Sequence, residues 1–144
     1  MFRKHKIAAA AMIAGCAAAS AASAATASWP TSVVGTWKGV SNQTPVVVTI
    51  TSQTAGSKCQ VIAGTMANTG SAAIAIDGYY CPSSGAIEFL RLPTDSAVAF
   101  QVYNGSLNQA NAGAPHIFMA GSFGQYNPAY GPLGQYSFSL TKSK

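Results

Sequence analysis

Residues 58–81 read KCQVIAGTMANTGSAAIAIDGYYC. Two short runs rich in Val, Ile and Tyr flank Asn68-Thr69-Gly70-Ser71, a cluster of turn-forming residues. The cysteines at its ends, Cys59 and Cys81, are centred on Gly70. Folded as a hairpin, the segment brings them opposite each other at the start of one strand and the end of the next. In an oxidising compartment an even pair forms a disulfide; two buried free thiols are the alternative.

Working outward from this hairpin, the same pattern repeats. No stretch after Ser28 keeps a 3.6-residue apolar period, while short β-branched and aromatic runs alternate with Gly, Pro, Asn and Ser. Eight strands are predicted, over residues 33–41, 45–52, 58–66, 72–81, 86–92, 97–104, 116–124 and 133–141. A polar loop, 105–115, precedes the seventh, and a Tyr/Pro/Gly loop, 125–132, precedes the eighth. Eight strands joined mostly by short turns predict an all-β fold, an eight-stranded antiparallel up-and-down β-barrel that buries its own edges. A β-sandwich of the same strands is the alternative. Transmembrane strands need roughly 9–11 residues each and aromatic girdles. Most of these are shorter, so no membrane span is expected.

The chain has 144 residues, enough for one domain with a real core. Charged residues make up 8% of it, against roughly 25% in a typical soluble domain. A nucleic-acid binder needs clustered Lys and Arg, and none is found beyond the extreme N-terminus. Arg3, Lys4 and Lys6 head an apolar, Ala-rich run, the pattern of an export signal. Two processing sites compete. Ala25-Thr26-Ala27 is an A-x-A site, making residues 1–27 a signal peptide and 28–144 the barrel domain. Ile13-Ala14-Gly15-Cys16 is similar to a bacterial lipobox, which would lipidate Cys16 and leave residues 16–30 as a tether. The expected location is periplasmic or secreted, with a lipid anchor to the outer membrane as the alternative. Removing residues 1–27 leaves five bases, Lys38, Lys58, Arg91, Lys142 and Lys144, against Asp77, Glu88 and Asp95. The basicity thus belongs mostly to the leader.

Strand one opens Val34-Gly35-Thr36-Trp37. A Gly-x-Trp there resembles the start of calycin barrels, the lipocalins and the avidin family. The last strand, Gly134 to Lys142, also looks like an avidin-type final strand. The resemblance implies a closed eight-stranded barrel with Trp37 plugging one end or lining the core. Two departures bear on the ligand. The avidin Asn that meets biotin, two residues after this Trp, is replaced by Gly39, and the final-strand Asp by Tyr136 and Ser137. The other Trp, Trp29, stands before the barrel. Biotin binding is therefore not implied.

With Trp37 at the closed end, the open mouth collects the loops around Asn42, Gln43 and Thr44, residues 67–71, 93–96 and 125–132. Amides and phenols there (Asn42, Thr44, Tyr126, Asn127, Tyr130) over an apolar cup suit a small apolar or neutral polar ligand. Alternation assigns Ile74, Ile76, Tyr80, Ile87, Phe89, Val98, Phe100 and Val102 to the cup, with Arg91 in the phase of Phe89. Trp37, Phe89 and Phe100 are expected to line the cavity. Val47, Leu90, Tyr103 and Phe118 are expected outside, an apolar exterior that suggests a homo-oligomer.

Little points to catalysis. His116 is the only His outside the leader, no Gly-x-Ser-x-Gly elbow exists, and neither a phosphate loop nor a metal motif is present. No enzyme activity, cofactor or metal is expected. The preferred expectation is an exported small-ligand-binding barrel. The alternatives are a protein-binding barrel such as a protease or lysozyme inhibitor, working through a rigid loop at 125–132 or 105–115, and a surface lipoprotein with a structural or interaction role.

Overall fold

The computed structural model describes residues 27–56, 58–93, 95, 99–110 and 114–143. Residues 1–26, which hold nearly all of the expected leader and Cys16, lie outside this range, as does Val98. All eight predicted strands are present: β1 Gly35–Ser41, β2 Thr44–Gln53, β3 Gln60–Asn68, β4 Ile74–Cys81, β5 Ala86–Arg91, β6 Phe100–Leu107, β7 His116–Asn127 and β8 Gly131–Ser143. Each pairs antiparallel with the next, and β8 returns to β1 through Lys38↔Thr141 to Ser41↔Phe138. The ladder therefore closes, which a sandwich of these strands would not do. Cys59 and Cys81 are joined by a disulfide at the base of the β3–β4 hairpin. The plan is consistent with a calycin-like fold.

Several boundaries move because a strand extends as far as its neighbour offers a ladder. β6 starts at Phe100 and runs on to Leu107, with Gly105 pairing Ile87 on one side and Gly121 on the other. β7 and β8 take both ends of the expected 125–132 loop, leaving Pro128, Ala129 and Tyr130 as its turn. At 12 and 13 residues, they form the longest hairpin of the barrel.

The side-chain period of two sorts the wall into faces. Inside lies one continuous core that includes Val33, Trp37, Ile50, Ile62, Met66, Ile76, Tyr80, Phe89, Tyr103, Met119, Phe123 and Leu140. Strand six shows the phase opposite to that expected. Tyr103 and Leu107 point inward and are buried, which places Phe100 and Val102 on the outer face. The sequence alternates weakly there because both faces of β6 are apolar, so periodicity alone does not fix the register.

A short N-terminal strap seals the end marked by Trp37. Ser28 bridges Ala110, and the Tyr80 hydroxyl donates to Pro30 O at 2.5 Å. Gln53 Nε2 donates to Thr31 O at 2.9 Å, while Val33 N donates to Gln53 Oε1 at 2.8 Å. The Trp37 indole donates to Val33 O at 2.9 Å. Lys142 Nζ sits 5.7 Å from the Trp37 ring centroid and donates to Val34 O. Burial depresses the Lys142 pKa below its ordinary value.

Candidate functional site

The opposite end carries the polar groups. β1 enters a two-residue turn in which Asn42 and Gln43 have φ of 46° and 65°, the left-handed pair that a tight hairpin demands. That turn fixes Ser41, the last residue of β1, facing inward and buried. Across the barrel, Arg91 ends β5 and pairs with Gln101 of β6. Tyr103 follows two residues later on the same inward face.

These four side chains form a connected set. Ser41 Oγ and the Tyr103 hydroxyl lie 3.1 Å apart in a hydrogen bond. The Tyr103 hydroxyl is also 3.0 Å from Gln101 Oε1, to which it donates, and Arg91 Nη1 donates to the same oxygen at 3.2 Å. Burial raises the Tyr103 pKa, with the Ser41 hydrogen bond and the Arg91 charge pulling the other way. Among the described residues, Arg91 Nε is buried without a hydrogen-bond partner. A desolvated, unpaired donor on a charged group costs about 1–3 kcal/mol or more. Folded proteins seldom leave such a donor without an acceptor, whether a water, an ion or a bound ligand.

Below this set the barrel is filled. Tyr103 is sandwiched between Phe89, at 4.6 Å and 8°, and Phe123, at 4.6 Å and 17°. Phe138 meets Phe89 and Tyr103 edge-on at 6.2 and 5.3 Å. Tyr136 tilts against Phe123 at 5.2 Å. The rings occupy the middle of the cup and make a solid aromatic floor under the mouth.

The residues singled out from sequence separate into three groups. Trp37 and Phe89 are core, at the sealed end and in the floor. Phe100 stacks on Tyr126 at 5.4 Å on the outer face, so Trp37, Phe89 and Phe100 do not converge on one cavity. Asn42 and Thr44 are exposed at the rim. Asn127 Oδ1 accepts from Ala129 N at 2.8 Å and Tyr130 N at 3.3 Å, holding Tyr130 out at 81% exposure. Arg91 does face inward, in the phase of Phe89. Sequence reasoning missed Ser41, Gln101 and Tyr103. The signal was the inward run Gln101-x-Tyr103-x-Gly105-x-Leu107, which competes with Phe100 and Val102 on the alternate phase.

An Asn in place of Gly39, the departure noted from the avidin pattern, would have no room here. A Cβ on Gly39 would fall onto the Ser139 carbonyl and the Leu140 Cα of β8, so the close approach of the two backbones requires glycine. Among the described residues, no group of three or more His, Cys, Asp or Glu is arranged to hold a metal. No helix of the described residues is long and apolar enough to cross a membrane. No protein-family model matches this chain, and no curated protein matches it in sequence.

Proposed function

We propose that this chain is an exported binding barrel that takes a small ligand at its mouth, with Arg91 as the anchor. The supporting observation is the unpaired, buried Arg91 Nε above an aromatic floor. A guanidinium edge suits a planar anionic group such as a carboxylate, which accepts two parallel N–H bonds. Ser41 and Gln101 add neutral polar contacts, and the rims of Phe123 and Tyr136 an apolar one. This shifts the expected ligand from wholly apolar or neutral to one with an acidic end. The deep cup is occupied by protein side chains, so the body of the ligand would lie towards the rim rather than beside Trp37. Export is supported by the leader and by the Cys59–Cys81 disulfide.

The test is native mass spectrometry of the protein purified from its own host, wild type beside Arg91→Gln. A small molecule bound to the wild type and weakened about tenfold or more in the variant is expected, from the loss of a charged hydrogen bond. A bare wild-type protein, or a ligand indifferent to the substitution, sinks the reading. The same masses separate a chain beginning at Ser28 from one carrying lipid on Cys16.

One observation favours a second reading, the protein-binding barrel. The β7–β8 hairpin is the longest, its turn is held by Asn127, and Tyr130 stands at its tip. A rigid loop presenting an aromatic ring is the form an inhibitor of a protease or lysozyme takes. Inhibition assays against both enzyme classes, with wild type and Tyr130→Ala, decide it. Inhibition lost with the ring supports it, and no inhibition by the wild type removes it.

A further inference from the structure

Two outer walls of the barrel expose apolar side chains and carry opposite charge. The register aligns Val61, Tyr79 and Glu88 across β3, β4 and β5, and Asp77, Leu90 and Val102 in the adjoining row. Tyr79 is 58% exposed beside a shallow hollow bounded by Val61, Asp77, Glu88 and Leu90. Two of the three acids of the chain, Asp77 and Glu88, are on this wall.

Four strands round the closed ladder, the second wall reads Val47, Lys38, Thr141, Phe118 across β2, β1, β8 and β7. Phe118 is 49% exposed, and Val40 and Val47 are exposed beside Lys38. A second hollow opens there, bounded by Gly35, Thr36, Lys38, His116, Thr141 and Lys142. Each wall thus combines bare aliphatic and aromatic surface with charge of one sign. Such patches on a sparsely charged exterior mark interaction surfaces.

We propose that the partner is a second copy of this chain, docking its Lys38–Phe118 wall on the Tyr79 wall of its neighbour. Charge complementarity selects this pairing. Two Tyr79 walls face to face would set Asp77 and Glu88 against their own copies, a like-charge arrangement that costs affinity. Joining unlike walls leaves one of each free on every pair. The contact is heterologous and propagates into a chain or closes into a ring. It leaves the mouth open and does not depend on what the mouth binds.

Sedimentation velocity over the micromolar range tests it. For the wild type, the weight-average mass rises with concentration to about twice the monomer or beyond, and the rise shrinks in high salt. The variants D77K/E88K and K38E each carry one sign of charge on both walls, and each alone stays monomeric. Mixed in equal amounts they associate again, because every unlike pair of walls is restored. Recovery on mixing separates a repelled surface from a misfolded one. A wild type that stays monomeric overturns the proposal. So does a single variant that associates as the wild type does, or a mixture that stays monomeric.

Discussion

The indole of Trp29 occupies the space beside Gly85 into which a Cβ would project. Trp29 belongs to the N-terminal strap and Gly85 to the β4–β5 turn, next to the disulfide-bonded Cys81. Gly85 has φ of 71°, and its carbonyl accepts from Leu107 N at 2.8 Å. The contact thus ties strap, turn and β6 together at the sealed end.

Gly85→Ala is expected to displace Trp29 and lower stability. The positive φ alone costs an L-residue about 1–2 kcal/mol, and moving the indole adds to it. In an amide correlation spectrum the Trp29 indole resonance shifts, while that of Trp37, hydrogen-bonded to Val33 O, stays in place. Trp29→Ala combined with Gly85→Ala costs less than the sum of the two, because only the backbone penalty remains. Strict additivity would show that the ring and the turn are independent.

Tyr103 serves two roles that substitutions separate. Tyr103→Phe keeps the stack with Phe89 and Phe123 but removes the hydroxyl joining Ser41 to Gln101. It is expected to cost about 1–2 kcal/mol, against about 3–5 kcal/mol for Tyr103→Ala. Urea titration reads both as a lower midpoint with an unchanged slope. Equal losses for the two variants would mean that the hydroxyl, not the ring, carries the position.

The barrel was legible because short strands, turn residues and the Cys59–Cys81 spacing all agree on a meander. The mouth was less legible. Arg91 shares its phase with the strongly apolar Ile87 and Phe89, so its inward direction follows from β5 alone. Gln101 and Tyr103 depend on the phase of β6, where Phe100 and Val102 form an equally apolar row. The closed ladder decides between them by pairing Leu90 with Val102 and Phe89 with Tyr103. Trp29 precedes β1, as its place in the sequence implies, but its packing against Gly85 was not legible, because strap contacts join residues far apart in sequence, such as Tyr80 and Pro30. Periodicity carries no trace of them.

Stability is expected to fall steeply in alkali. Burial pushes the Tyr80 pKa from 10.0 up to about 12, and that of Tyr103 also rises. The unfolded chain therefore loses these protons first, so the folded state is favoured less as pH climbs from about 10 through 12. Lys142 acts oppositely. Its pKa lies below 10.5, so the unfolded chain holds that proton longer and stability rises as pH approaches 10.5 from below. Thermal melts from pH 8 to 12 should rise gently and then drop. Tyr80→Phe flattens the drop, and Lys142→Met removes the rise.

The Asn127 turn is expected to be locally ordered yet globally dispensable. Its two hydrogen bonds are exposed and lie beyond the aromatic floor. Asn127→Ala should leave the unfolding midpoint nearly unchanged while amide exchange at Ala129 and Tyr130 speeds up. Asn127→Asp keeps an acceptor at the same atom and should restore protection. The pair also reads the purpose of the hairpin. Holding an exposed ring rigid lowers the entropy lost when a partner covers it. If Tyr130 meets a protein, Asn127→Ala weakens that contact through ordering alone, and Asn127→Asp recovers it. If the rim serves only a small ligand anchored at Arg91, neither substitution changes ligand affinity, and the turn does no more than close the hairpin.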